Sequence, residues 1–455
     1  MISRGFTVVV AGAAALLGTG PVAAGPHSEV ASAFDEGDEF DLHVTIDYEL
    51  DSRRATIRRE QAGLPGTGPD DPIPLVDDLR FESLRHTLTP RLELSIFTDL
   101  AITFALPIII RDTRSLSLDG IAPGASTTIS DGLLPATGFD ANDPTGPGFT
   151  NANDSMIFRG PARAGLDQVH VGMVWAPMNQ ARDDTKPTWK LGAALRVPVG
   201  GIMKFDRMDP EGDTGVGRGL WEVHIYTTIA KQLTWAEPFV EMWWTAPFKH
   251  TDDSPFVDPG FGSKRTNGQQ HAGTRFGLEA YLFNDKESKQ RVSLELSTSL
   301  RANFEGRAYS EMWEIFSYAG DARTGGPLVL DADPTRPGID ALSHPGISNV
   351  ENYLTLGGRV GIGAQLGEKV RFGASVALTH DQSHLISFAD AGVDKPTCRA
   401  GQVPPACEVS SNEVVDPGTD EVNPLHVQTI DQVGGRYRLD GADDFLFLVD
   451  ARVLF

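Results

Sequence analysis

Residues 40–51 read FDLHVTIDYELD, and the alternation inside that stretch decides the fold. Phe40, Leu42, Val44, Ile46, Tyr48 and Leu50 fall on one face of an extended chain, and Asp41, His43, Thr45, Asp47, Glu49 and Asp51 on the other. Successive side chains of a strand point to opposite faces, so period two means one apolar and one polar surface. The polar surface here is too charged for a buried core but suits a wall facing water. The same period recurs along the chain and predicts strands over 40–51, 83–97, 100–111, 166–178, 188–199, 219–233, 237–249, 272–283, 290–303, 351–366, 370–380 and 444–455. Each is close to the roughly 9–11 residues with which a tilted strand crosses a bilayer.

The connections sharpen the expectation, because short and long ones take turns. Thr98-Asp99 is tight and 112–165 long; 179–187 is short and 200–218 longer; 234–236 is tight and 250–271 follows. Then 284–289 is short, 304–350 long, Gly367-Glu368-Lys369 tight and 381–443 the longest. Short turns on one side and long loops on the other are the pattern of transmembrane barrels, with the long side extracellular. An even strand count returns both ends of the chain to the periplasmic side. The fold predicted for 40–455 is therefore all-β: a single transmembrane antiparallel up-and-down β-barrel of about twelve strands, with short periplasmic turns and long extracellular loops.

Ahead of the first strand, Arg4, the apolar run 6–17 (FTVVVAGAAALL) and Val22-Ala23-Ala24 form a charged, an apolar and a small-residue region in the order of a secretory signal. The run is shorter than the about 20 residues of a membrane-spanning helix. Residues 1–24 are expected to be a cleaved signal peptide, and 25–39 a flexible, acidic periplasmic segment.

The two faces assign the surroundings. Apolar positions such as Leu92, Leu94, Ile102, Phe104, Leu294, Leu296, Phe372 and Val376 would meet lipid, with Trp175, Trp189, Trp221, Trp235, Trp243 and Trp244 near strand ends as interfacial anchors. The opposite faces carry Asp47, Glu49, Arg85, Arg91, Glu93, Lys190, Arg196, Glu222, Glu241, Arg275, Glu279, Glu295, Arg301, Arg359, Arg371, Asp450 and Arg452. These are the candidate lumen-lining, selectivity-setting residues. Gly357, Gly361, Gly363, Gly373, Ser375 and Ala377 share the inward parity of the tenth and eleventh strands. They leave room for a loop, the N-terminal segment or a ligand, or they serve only to bend the sheet; both readings stay open.

The last strand places Phe445, Phe447, Val449, Ala451, Val453 and Phe455 on alternate positions. It resembles the C-terminal assembly signal of Gram-negative outer-membrane β-barrel proteins, with Phe445, Phe447 and Phe455 as its aromatic positions. The resemblance implies location in the outer membrane, contact with its lipid, and recognition by the barrel-assembly machinery. It implies a porin- or transporter-like barrel but no particular family.

A formal charge of -23 argues against nucleic-acid partners. Much of the excess lies in the long loops, where 383–443 holds ten acidic and four basic residues, offering carboxylates to divalent cations or to a partner. Cys398 and Cys407 are expected to staple that loop as a disulfide. No cofactor, metal site or catalytic residue is expected: HExxH and GxSxG are missing. The cluster His380-Asp381-Gln382-Ser383-His384 lacks the His and Ser two apart that a barrel resembling outer-membrane lipid hydrolases would need. The expected function is passive passage of small solutes through a narrow charged lumen. A structural or partner-binding barrel working through its acidic loops is the alternative, and a barrel lipid hydrolase a weaker third.

Overall fold

The computed structural model of the protein describes residues 27–35, 38–62, 72–149, 155–212, 214–257, 264–285, 287–331, 341–389 and 425–455. The signal segment 1–24, Cys398 and Cys407 lie outside the described residues.

Twelve strands close into one antiparallel ring. They are β1 (Leu42–Glu60), β2 (Leu75–Phe97), β3 (Leu100–Ala105 continued by Ile108–Leu118) and β4 (Arg163–Leu166 continued by Gln168–Met178). Next come β5 (Thr188–Pro198), β6 (Leu220–Ala230), β7 (Ala236–His250) and β8 (His271–Asp285). The last four are β9 (Gln290–Asn303), β10 (Tyr353–Leu366), β11 (Val370–Asp381) and β12 (Tyr437–Leu454). Each strand pairs with the next, and β12 returns to β1 through the register Phe447↔Leu50 to Leu454↔His43. Reciprocal backbone bonds between Leu42 and Phe455, at 3.2 and 3.0 Å, seal the seam. Closure leaves the ring no unpaired edge, which is what allows strands to cross lipid at all. Pro107 has no N–H to give the ladder, and β3 breaks there.

The alternation of connections holds round the ring. The turns 98–99, 179–187, 231–235, 286–289 and 367–369 sit on the side of the chain ends, the periplasmic side by the short-turn rule. The strand ends joined by the longer connections 61–74, 119–162, 199–219, 251–270, 304–352 and 382–436 lie on the opposite side. The tightest turn turns on Asp99, a non-glycine residue at φ 56°, a conformation that Asp tolerates better than most. Its carboxylate accepts bonds from Asn179 Nδ2 at 2.6 Å and Arg182 Nε at 2.5 Å, tying this turn to the next.

β1, β2, β3 and β12 run further than their sequence pattern predicts, all towards the extracellular side. Their extensions change character: the inward face, charged lower down, becomes Ala55, Ile57, Leu79, Phe81, Leu116, Tyr437 and Leu439, all buried. Period two marks which face a residue is on but not whether that face is wet, so apolar inward residues look like lipid-facing ones. Gly441 (φ 55°) sits in a bulge that lets β12 present both Leu439 and Ala442 inward.

Candidate functional site: the charged lumen and its two closures

Strand parity sends alternate side chains into the ring, and in its middle they surround a cavity of about 510 Å³. Ten of the candidates line it: Asp47, Glu49, Arg91, Arg275, Glu279, Glu295, Arg359, Arg371, Asp450 and Arg452. Gly361, Gly363, Gly373 and Ser375 form the smooth sector between them. A second space of about 320 Å³ adjoins, sharing Arg275 and Arg359 and bordered by Glu241, His224 and the inward-turned Trp243. The remaining candidates sit above or below as ion pairs and hydrogen bonds. Arg85 meets Asp112 at 2.6 Å, Glu93 faces His43 at 3.8 Å, Arg196 and Arg218 share Glu222, and Arg301 Nη2 donates to Thr355 Oγ1 at 3.2 Å. Within the cavity wall Arg91 is bonded to Asp47, Arg275 to Glu241 at 3.0 Å, and Arg359 lies 3.9 Å from Glu295. The wall thus carries both signs on neighbouring strands, which fixes the long side chains against the barrel and leaves the centre polar.

The extracellular end is filled by the chain's own loops. The helix Trp313–Ala319, in the loop 304–352, is buried along its whole length. It packs with Leu133, Leu134, Phe139, Phe158, Ile386, Phe388 and Ile430 against the apolar extensions of β1, β2, β3 and β12. Burial of this many apolar side chains at roughly 25 cal/mol per Å² holds the cap in place. Polar ties fix its orientation. Arg163, 1% exposed, is bonded to Glu314, and its guanidinium stands 5.0 Å from the Trp313 ring. A Cβ on Gly160 would come within 2.5 Å of Glu314 Oε2, so glycine there lets the chain pass this pair. Lower down, Arg53 gathers Glu311 of the cap at 2.9 Å with Asp381 and Asp444 of the wall at 2.8 Å each. Arg53 continues the inward parity of Asp47, Glu49 and Asp51, so extending the count along β1 would have found it. Glu311, 258 residues away, carried no such signal.

The N-terminal segment closes on the other end. The sequence left open whether the periplasmic segment 25–39 hangs free or enters the lumen; residues 27–35 lie in the ring's periplasmic mouth. The His27 ring stacks on Phe239 at 3.6 Å, and the Ser28 N–H donates to Glu237 Oε1 at 2.6 Å. Glu29 meets both Arg371 and Arg452, and Asp35 is bridged to the turns by Arg182. Composition alone, small and acidic, did not distinguish a tail from an insert.

The hydrolase-like cluster does not converge. His380 Nδ1 bonds exposed Asp443 at 2.8 Å, Ser383 Oγ accepts from Arg438 at 3.3 Å, and buried His384 stacks on Tyr353 at 3.9 Å.

Outside, every strand turns at least one large apolar side chain to the surroundings. In chain order they include Ile46, Leu92, Ile102, Val171, Leu195, Ile225, Val240, Phe276, Leu296, Val360, Val376 and Val449, all exposed. Several are direct cross-strand neighbours, among them Val171↔Leu195, Val240↔Phe276 and Leu296↔Val360, so the belt is continuous. Trp175, Trp235 and Trp244 are exposed on the same outer surface. Soluble monomers rarely expose apolar patches beyond a few hundred Å². The chain is a transmembrane β-barrel of the outer-membrane type.

No family model matches the sequence, and no curated protein does either. Among solved structures the barrel is similar to an outer membrane channel from Pseudomonas putida F1, at 10% identity over 95% of this chain and 100% of that one, with a TM-score of 0.40. It is also similar to the outer membrane protease OmpT from Escherichia coli, at 6% identity over 92% and 98% of the two chains and a TM-score of 0.28. A FadL homologue from Pseudomonas aeruginosa is 10% identical over 91% and 90% of the chains, with a TM-score of 0.32.

The barrel's cap carries its own pH dependence. His344, in the loop 304–352, is buried 4.5 Å from the Phe388 ring, and its Nδ1 accepts the Gly346 N–H at 2.9 Å. Burial, reinforced by Arg307, moves its pKa down from 6.5 to about 3. A lowered pKa in a base gives stability that is present above pH 6.5 and lost as pH falls towards the folded value. Asp431 opposes it: burial raises its pKa from 3.8 to about 6, although the Phe388 and Val427 N–H groups donate to it and His426 lies 3.8 Å away. Its contribution is present below pH 3.8 and fades as pH rises through 6. The two oppose each other between pH 7 and 4, so the histidine's share is read with the carboxyl removed: in Asp431→Asn protein, acidification over that range should loosen the cap. Hydrogen exchange in residues 304–346 of that variant, corrected for intrinsic pH effects, is expected to accelerate at pH 4 and to lose that sensitivity when His344→Gln is added. Equal protection at both pH values would contradict this account.

Proposed function

We propose that the barrel is an exported channel of the Gram-negative outer membrane, passing small charged solutes passively through its lumen, with no enzymatic step. The observation that carries this reading is the central cavity. It holds about 510 Å³ of polar space, walled by arginines and carboxylates on facing strands, in a ring whose ends are occupied by the chain's own loops and N-terminal segment rather than by the wall. That volume falls in the range of roughly 300–1,000 Å³ typical of small-molecule sites. The wall residues from Asp47 round to Arg452 would select by size and charge, as side-chain rings do in other pores. In this reading the structure is a closed state, and conduction requires the cap and the N-terminal segment to move. Planar-bilayer recording tests it. The native protein is expected to open rarely, and a variant loosened at both ends (Glu314→Ala with Glu29→Gln) to conduct in discrete steps. A folded double variant that passes neither ions nor small solutes would count against a channel.

A further inference from the structure

Across the β11–β12 ladder Arg371 and Arg452 are direct partners, and both face the cavity. Like charges opposite one another on a sheet are destabilising unless something of the other sign sits between them. Here it is Glu29 of the N-terminal segment, whose Oε2 accepts from Arg371 Nη1 at 2.5 Å and from Arg452 Nη1 at 3.2 Å. The carboxylate is 10% exposed and Arg371 11%, so the contact is partly desolvated and stronger than a surface pair. Beside it Gly373 and Gly363 leave the cavity side open, and Arg452 Nε is held by Thr45 Oγ1 at 3.1 Å.

The piece of chain that brings Glu29 there is held by side chains and by the packing of buried Ala31 and Ala33, not by the ring's ladder. Among the described residues its only ladder is internal, Ala33↔Phe40 and Asp35↔Asp38, and it adds no strand to the ring. Side-chain and single backbone contacts tie it down: Ser28 to Glu237, Lys190 Nζ to the Glu29 carbonyl at 3.3 Å, and Ser32 to Asp41 and Asp99. It can therefore leave without breaking the barrel's backbone pairing.

We infer that the Arg371–Arg452 pair is a carboxylate-binding site of the lumen, that Glu29 is its tethered self-ligand, and that carboxylate-bearing solutes displace Glu29 and with it the segment across the periplasmic mouth. The inference rests on the channel reading above and names its solute class. A tethered competitor acts at an effective concentration in the millimolar range. Free carboxylates therefore bind the native protein weakly, and their binding strengthens when Glu29 is neutralised.

The test is succinate and acetate titration of the purified full-length protein, by calorimetry in detergent, beside bilayer recordings of the same variants. Glu29→Gln is expected to tighten succinate binding at least tenfold, Glu29→Asp to leave it near the native value, and Arg452→Gln in the Glu29→Gln background to remove most of the gain. In Glu314→Ala protein, succinate is expected to raise open probability, and tetramethylammonium chloride at the same ionic strength to leave it unchanged. Succinate binding that is equal with and without Glu29, or that survives loss of both arginines in a folded barrel, would overturn the inference while leaving a conducting channel intact. Glu314→Ala/Glu29→Gln protein that binds succinate but never conducts would instead sink the channel reading.

Discussion

Replacing Glu314 with alanine should loosen the extracellular cap while leaving the ring intact. Arg163 reaches Glu314 with its Nη1, and the two side chains are 1% and 5% exposed, so water cannot replace the lost partner. Removing one member of a buried pair leaves an uncompensated charge and typically costs about 3–5 kcal/mol. The guanidinium keeps its place over Trp313 and its 3.3 Å bond to the Lys204 carbonyl, which offset only part of that. The cost falls on the loop 304–352, because Arg163 belongs to the wall and pairs with Asp112 there. Trypsin cleavage within residues 304–331 should become rapid in Glu314→Ala while the ring stays resistant. Replacing both members with leucine and methionine should restore most of the protection, since an apolar pair of similar volume needs no charge partner. Unchanged proteolysis in the single variant would show that apolar packing alone holds the cap.

Placing an arginine at Leu296 should separate a lipid-facing belt from a merely exposed one. Leu296 lies mid-strand on β9, half exposed, between the outward side chains of Leu278 and Val360. A charge on the lipid face near the bilayer midplane costs about 2–4 kcal/mol. That is roughly a 30- to 900-fold shift in the folding equilibrium. Denaturant titration of the protein reconstituted in vesicles should show this loss, and Ser297→Arg, one residue on and facing the lumen, a much smaller one. In a water-soluble barrel the same arginine would be neutral or improve solubility, so an unchanged midpoint for Leu296→Arg would refute membrane insertion.

Much of the ring was legible because its physics is local. The pattern that placed strands at 188–199, 272–283, 290–303 and 370–380 did so within about two residues, since each has lipid on one side and water on the other. The inward parity of Asp47, Arg275, Glu295, Arg359 and Asp450 followed from the same alternation. The extensions of β1 and β2 were missed because Ile57, Leu79 and Phe81 are apolar and inward, an arrangement that alternation cannot tell from its mirror image. The cap was missed because its helix covers only 313–319, and its apolar residues come from loops far apart in the chain.

The sequence by itself determined that this chain alternates, how many times it turns, and which side of each strand is charged, because those are properties of neighbours along the backbone. Only the tertiary structure decided what meets inside the ring. Arg53 with Glu311, Arg163 with Glu314, and Glu29 with Arg371, 342 residues away, are brought together by closure of the sheet and by loops folding back into it. Strand period says that such side chains face a common interior, but which of them touch depends on where the ring closes and what enters it.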